Sequence, residues 1–203
     1  MANWEREEEL WHSGYTLVGG CDEVGRGPLA GPVVAAIVVF DRACMEGLAD
    51  SKAISAKKRL ELNQEILRKA EAVGIGVVDN QIIDDINILN ATKLAMKQAW
   101  QNLRLKPEYL LVDALEPEEL AARVKLEGLI RGDSSSAAIA AASIVAKVYR
   151  DRLMSWYHKA YPQYNFSNNK GYPTQEHYRA LREHGCCPLH RLSFPIWTVS
   201  SII

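Results

Sequence analysis

Asp22-Glu23-Val24-Gly25-Arg26-Gly27-Pro28-Leu29-Ala30-Gly31-Pro32 runs straight into Val33-Val34-Ala35-Ala36-Ile37-Val38-Val39-Phe40, and this stretch sets the architecture. Thr16 to Cys21, just ahead, reads as a strand entering a Gly-rich turn. The unbroken β-branched run after the turn reads as a buried strand. Two strands in immediate succession then give way to alternation. Ser55 can cap a helix reaching about Ala72, Val73 to Val78 is strand-like, and Asp84 to Leu103 is helix-like. Tyr109 to Val112 is a short apolar strand, and Leu129-Ile130 reads as another. Ser136 to about Ala160 is helical, and Thr174 caps a last helix to His184. Residues 1–14 form an acidic, Trp-containing helix or arm, and 194–203 a tail on the body. This order implies an α/β fold, a mixed sheet with helices on its faces and a helical end. No convincing linker stands out, and a boundary would fall at Pro162 to Asn169, rich in Asn, Ser and Pro.

The chain has 203 residues, 24 Lys plus Arg against 25 Asp plus Glu, and 48% hydrophobic residues. Those proportions exclude a disordered chain and a fibrous repeat. The longest apolar stretch, Pro28 to Phe40, is broken by Gly31 and Pro32 and falls short of the ~20 residues of a membrane span. Glu5, Glu7, Glu8 and Glu9 open the chain where a secretory signal would be basic and then apolar. Cys21, Cys44, Cys186 and Cys187 read as reduced thiols, so a cytoplasmic location is expected. The near-zero net charge hides an asymmetry. From Lys147 to Arg191 there are eight Lys/Arg against three Asp/Glu, interleaved with Tyr149, Trp156, Tyr157, Tyr161, Tyr164, Phe166, Tyr172 and Tyr178. Such a stretch suits a polyanion, or equally a solvated helical face over core aromatics.

Asp22 and Glu23 sit where the first strand ends. Neighbours on a strand face opposite sides, so one points directly into a given site and the other serves its edge. The glycines let backbone groups approach a ligand, and Arg26 between Gly25 and Gly27 is placed to meet phosphate. The spacing is not a dinucleotide fingerprint, and the Lys-Ser/Thr of a P-loop is missing. A tight hairpin with surface acids is the plain alternative. Asp113 ends an apolar strand, where open α/β sheets present ligands; a helix-capping Asp would look identical. Asp133, ahead of three serines, carries the same two readings. Asp151 reads as a surface ion-pair or capping group. Convergence of Asp22, Glu23, Asp113 and Asp133 would require protonation or bound cations. Hard oxygen donors favour Mg²⁺ or Mn²⁺, and two such ions are the usual apparatus of phosphodiester hydrolysis. His184, Cys186, Cys187 and His190 fit no common zinc spacing. Tyr172, in Lys170-Gly171-Tyr172-Pro173, can stack on a sugar or base, or pack in the core.

Taken together and in order, these pieces resemble bacterial ribonuclease HII, the type 2 ribonuclease H family. The likeness covers nearly the whole chain. Asp22 to Pro32 is similar to the family's opening acid pair and Gly-Arg-Gly motif, and Asp50-Ser51-Lys52 to its DSK. Asp113 and Gly132-Asp133 fall on its third and fourth acids. Ala141 through Asp151 resembles its most recognisable helix, Gly171-Tyr172-Pro173 its tyrosine motif, and His190-Arg191 with Ser193-Phe194 its C-terminal signature. Cys186-Cys187 and Leu192 depart from its pattern. The resemblance implies a ribonuclease H-like mixed five-stranded sheet flanked by helices with a C-terminal helical extension. One catalytic domain would span 1–203, with its core in 15–160 and the helical part in 161–203. It implies an endonuclease that cuts the RNA strand of RNA/DNA hybrids. It also implies cutting on the 5′ side of single ribonucleotides in duplex DNA, leaving 3′-hydroxyl and 5′-phosphate ends, as ribonucleotide removal in replication and repair requires. By the same resemblance Asp22, Glu23, Asp113 and Asp133 hold two Mg²⁺ or Mn²⁺ ions. Gly25, Arg26 and Gly27 sense the 2′-hydroxyl, Tyr172 stacks on the next sugar, and Lys52, Ser134, Ser143 and Lys147 contact phosphate. The partner is nucleic acid, not membrane, and a monomer is expected.

Overall fold

The computed structural model describes residues 2–44 and 55–196. In chain order the elements are α1 Glu5–His12, β1 Val18–Val24, β2 Val33–Phe40, α2 Ala56–Lys69, β3 Ala72–Val78, α3 Asn80–Gln101, β4 Tyr109–Asp113, α4 Glu118–Ala121 and β5 Lys125–Leu129. Then follow α5 Gly132–Ser135, α6 Ala137–Ala160, α7 Phe166–Asn169 and α8 Gln175–His184. The sheet order is β3-β2-β1-β4-β5. β1 and β3 flank β2 antiparallel, while β4 runs parallel to both β1 and β5. This is the expected mixed five-stranded sheet with helices on its faces.

β2 is apolar at every position because both faces are covered. Val34, Ala36, Val38 and Phe40 join the core beneath α6, and Val33, Ala35, Ile37 and Val39 join the core beneath α3. Close approach on both sides depends on missing side chains. A Cβ on Gly20 of β1 would lie 2.0 Å from the carbonyl carbon of Ala138 in α6, and one on Gly76 of β3 would lie 1.9 Å from the carbonyl oxygen of Ala95 in α3. α6 opens with a run of small residues, Ala137-Ala138-Ile139-Ala140-Ala141-Ala142, which lets its backbone press on the sheet. Ser136 caps it, donated to by the Ile139 amide at 3.1 Å. Buried Glu7 of α1 accepts from the Ser136 hydroxyl and the Ala138 amide, so α1 is pinned to the same helix end.

Ser55 and Thr174 cap α2 and α8 as the sequence implies. α3 starts earlier than expected: Asp79 caps it through the Ile82 amide, and the backbone kinks at Asn87, where φ is 65°. The Asp84 start falls inside the first of the two helical pieces joined across that kink. β5 runs Lys125–Leu129 and stops before Ile130, which is 88% exposed. Its composition is poor for a strand, and pairing with β4 creates it. Pro162–Asn169 is no loose joint. Tyr164 and Phe166 are buried in a third cluster with Leu29, Ala30, Met154, Leu181 and Ile196. That cluster fastens the Gly-rich loop after β1 to the C-terminal helices. Among the described residues no helix is long and apolar enough to cross a membrane.

Candidate active site

The parallel pairing of β1 with β4 matches Cys21 to Val112. Asp22 and Asp113 are the next residues of each strand, so two acids stand level at the C-terminal ends of adjacent strands, where α/β sheets present ligands. Asp22 is buried, and its Oδ1 accepts the Glu23 amide at 2.7 Å. Its carboxyl is pushed up to about 8 by burial; the Ser143 hydroxyl of α6 pulls it down, while Glu23 and Asp113 raise it further. Burial also raises Glu23, against the downward pull of Arg26 and with Asp113 adding to the rise. Arg26 holds Glu23 Oε1 at 3.1 Å, while among the described residues the buried Oε2 has no hydrogen-bond partner. Asp113 Oδ1 accepts the Gly132 amide at 2.8 Å, which brings the start of α5, and so Asp133, beside the end of β4. Asp133 lies in the first turn of α5 and Ser136, not Asp133, caps α6. Ser134 Oγ stands 3.5 Å from Asp133 Oδ1.

Asp22, Glu23 and Asp113 therefore feel one another electrostatically, and Asp133 joins them through its neighbour's backbone. Among the described residues no three Asp, Glu, His or Cys side chains are drawn tightly enough to form a ready coordination set. The donor chemistry nevertheless fits a hard divalent cation. All four candidates offer carboxylate oxygen, one buried oxygen of Glu23 lacks a hydrogen-bond partner among the described residues, and burial with negative neighbours raises the Asp22 carboxyl, a penalty that a bound cation would relieve.

Beside the acids the Gly-rich loop folds under itself. Gly25 has φ of 96°, and a Cβ there would meet the Arg150 side chain at 2.2 Å. Gly27 faces the Tyr172 ring, whose Cε1 would be 3.9 Å from a Cβ on that glycine. Tyr172 is 38% exposed, with the Arg150 guanidinium 5.9 Å from its ring centroid. The Arg26 side chain, read from sequence as a phosphate contact, is occupied by Glu23. Lys147 pairs with Asp151 at 2.8 Å along α6, as read for Asp151. Lys52 lies outside the described residues.

Two buried arginines had no role in the sequence reading. Arg150 donates to the carbonyls of Pro32, Lys170 and Ala30, and Arg191 to those of Gly25, Arg26 and Gly31. Their signal in the sequence was their place in the Ala141–Asp151 helix and the His190-Arg191 pair, which named no role for either.

A family model for ribonuclease HII matches residues 19–196. The chain belongs to the ribonuclease HII family. It is a ribonuclease H endonuclease acting on RNA/DNA. Ribonuclease H2 from Pyrococcus horikoshii OT3 superposes with a TM-score of 0.73 at 26% identity, over 89% of this chain and 94% of that one. The ribonuclease HII of Archaeoglobus fulgidus, solved in complex with PCNA, gives 0.73 at 26% identity over 88% and 95%. Bst-RNase HIII, solved with Mn²⁺, shares the fold at a TM-score of 0.67 and 20% identity, over 89% and 68%.

Proposed function

We propose that this endonuclease cuts the RNA strand of hybrids and also the 5′ side of single ribonucleotides in duplex DNA. The products would carry 3′-hydroxyl and 5′-phosphate ends. Asp22, Glu23, Asp113 and Asp133 would hold two divalent ions, Mg²⁺ or Mn²⁺. One observation carries the reading. Electrostatically linked acids at the ends of β1 and β4 lie beside a glycine loop that faces an exposed tyrosine. Held by these acids, divalent ions would supply a water activated as nucleophile at neutral pH and would offset the charge that builds on the leaving 3′ oxygen. Ser143 orients Asp22, and Arg26 orients Glu23 by occupying one of its oxygens. Gly25, Arg26 and Gly27 would contact the 2′-hydroxyl through backbone groups, the feature that separates RNA from DNA. Tyr172 would stack on the following sugar. Ser134, Ser143 and Lys147 would meet phosphates, with Lys147 leaving its partner Asp151 to do so.

The test is cleavage of a DNA duplex containing one ribonucleotide, in Mg²⁺ or Mn²⁺, with all-DNA duplex and chelator controls. A metal-dependent cut on the 5′ side of the ribonucleotide, absent from all-DNA, is expected. Cutting of hybrid alone would reject the single-ribonucleotide reading, and cutting of all-DNA would reject 2′-hydroxyl sensing.

A further inference from the structure

His177, His190, Arg150 and Arg191 are all buried, and none has a role in the chemistry above. Among the described residues neither guanidinium is ion-paired; backbone carbonyls satisfy both. Arg191 donates to Arg26 O at 3.0 Å, Gly25 O at 2.6 Å and Gly31 O at 2.8 Å. A trans peptide places its N–H opposite its C=O. With the Gly25 and Arg26 carbonyls turned inward to Arg191, the amides of Arg26 and Gly27 are turned outward. Among the described residues neither amide donates a hydrogen bond within the protein. Two free donors on a loop facing Tyr172 are what a sugar hydroxyl would meet.

The residue before Arg191 reaches the tyrosine itself. His190 Nδ1 lies 2.9 Å from the Cys187 amide nitrogen, His190 Nε2 lies 3.0 Å from His177 Nε2, and His177 Nδ1 lies 2.9 Å from the Tyr172 carbonyl oxygen. The Tyr172 end of this chain sets its direction. The Tyr172 carbonyl can only accept, so His177 carries its proton on Nδ1 and its Nε2 is bare. His190 must then donate from Nε2; its Nδ1 faces both the Cys187 amide at 2.9 Å and the Cys187 carbonyl oxygen at 3.2 Å, and burial, which disfavours a doubly protonated ring, leaves Nδ1 bare to accept from the amide. Both rings are neutral, and they sit in an apolar box with Tyr164 and Phe166. The segment is anchored from behind, where Asp84 of α3 accepts the Leu192 and Ser193 amides.

We propose that His190-Arg191 is the positioning element of the ribonucleotide sensor. Arg191 holds the Gly25–Gly27 loop with its amides outward, and His190 holds Tyr172 opposite it through the His177 relay. One dipeptide thereby fixes both jaws at a constant separation. The inference rests on the reading that these jaws grip the ribonucleotide.

The experiment is a mutant cycle on kcat/KM with two substrates, a single-ribonucleotide duplex and a long RNA/DNA hybrid. His190→Asn keeps an acceptor for the Cys187 amide but cannot reach His177, whereas His190→Gln restores a donor near the Nε2 position. His190→Asn should lower kcat/KM on the single-ribonucleotide duplex by about tenfold relative to the hybrid, the same selective loss expected of Tyr172→Ala, and His190→Gln should recover most of that loss. In a Tyr172→Ala background, His190→Asn should cost nothing further. Arg191→Lys keeps the charge but loses the fork. It should weaken discrimination between the ribonucleotide duplex and all-DNA even with Tyr172 replaced. Equal loss from His190→Asn on both substrates, or the same loss with and without Tyr172, would overturn the relay. Unchanged discrimination in Arg191→Lys would overturn the loop clamp. Urea midpoints of every variant separate positioning from unfolding. If wild-type protein fails on the single-ribonucleotide duplex, the parent reading falls; if wild type cuts it and the cycle is additive, only this inference falls.

Discussion

Replacing Gly20 by alanine should damage the protein far more than replacing Gly19, one residue away on the opposite face. A Cβ at Gly20 would sit 2.0 Å from the Ala138 carbonyl carbon and 2.3 Å from the Ile139 nitrogen, both backbone atoms of α6. Carbon atoms settle at ~3.5 Å, so α6 must retreat by about 1.5 Å. At Gly19 the nearest atoms are Leu110 Cδ1 and Pro107 Cγ, both at 3.0 Å and both in side chains. They need yield only about 0.5 Å. Overpacking costs about 1–3 kcal/mol, and losing a glycine returns about 0.4–1 kcal/mol through the unfolded chain. Gly19→Ala should therefore cost less than about 1 kcal/mol, and Gly20→Ala at least about 2 kcal/mol. The site feels the difference too. Asp22 shares a strand face with Gly20, and Ser143 rides on the helix that must move. Misplacement by 1 Å can cost about 100-fold in rate. Urea unfolding reads the first effect, and kcat on an RNA/DNA hybrid reads the second. Matching urea midpoints for the two variants would refute this account of how α6 is seated.

Asp113→Asn should abolish cleavage while duplex binding, read by fluorescence anisotropy, survives; retained turnover would reject a metal role for Asp113. Glu7→Ala strands the Ser136 hydroxyl and the Ala138 amide and should cost about 2–3 kcal/mol in urea, while Glu7→Gln keeps an acceptor and should stay within about 1 kcal/mol of wild type. Stability should fall as pH is lowered through the histidine range. Burial, with His177 adding to it, pushes His190 down to about 4, whereas an unfolded histidine protonates near 6.5. Between those values the unfolded chain binds the extra proton, so His190's contribution is intact above about pH 6.5 and is lost progressively towards about pH 4. The thermal midpoint should drop less over that window in His190→Gln than in wild type, and parallel curves would count against a neutral buried His190.

The sequence by itself determined the strand–turn–strand opening, because a run apolar at every position from Val33 to Phe40 needs cover on both faces. It determined the helix starts at Ser55 and Thr174, because capping is a local bond to an amide three residues on, whereas the helix from Ser136 reads from its pattern with Asp133 as the cap candidate. The four acids could be named from their places at strand ends and helix starts. What joins them could not. That Asp22 stands level with Asp113 follows from the parallel register of β1 and β4, strands some ninety residues apart in sequence. The edge strand Lys125–Leu129 has no pattern of its own and exists because β4 offers it hydrogen bonds. Pro162–Asn169 has the composition of a linker, yet Tyr164 and Phe166 bury themselves against Met154 and the loop after β1. Most of all, Arg150 and Arg191 spend their charge on backbone carbonyls that only the folded chain gathers. No local rule assigns a buried guanidinium to a loop more than a hundred residues away, so that role was decided by tertiary structure alone.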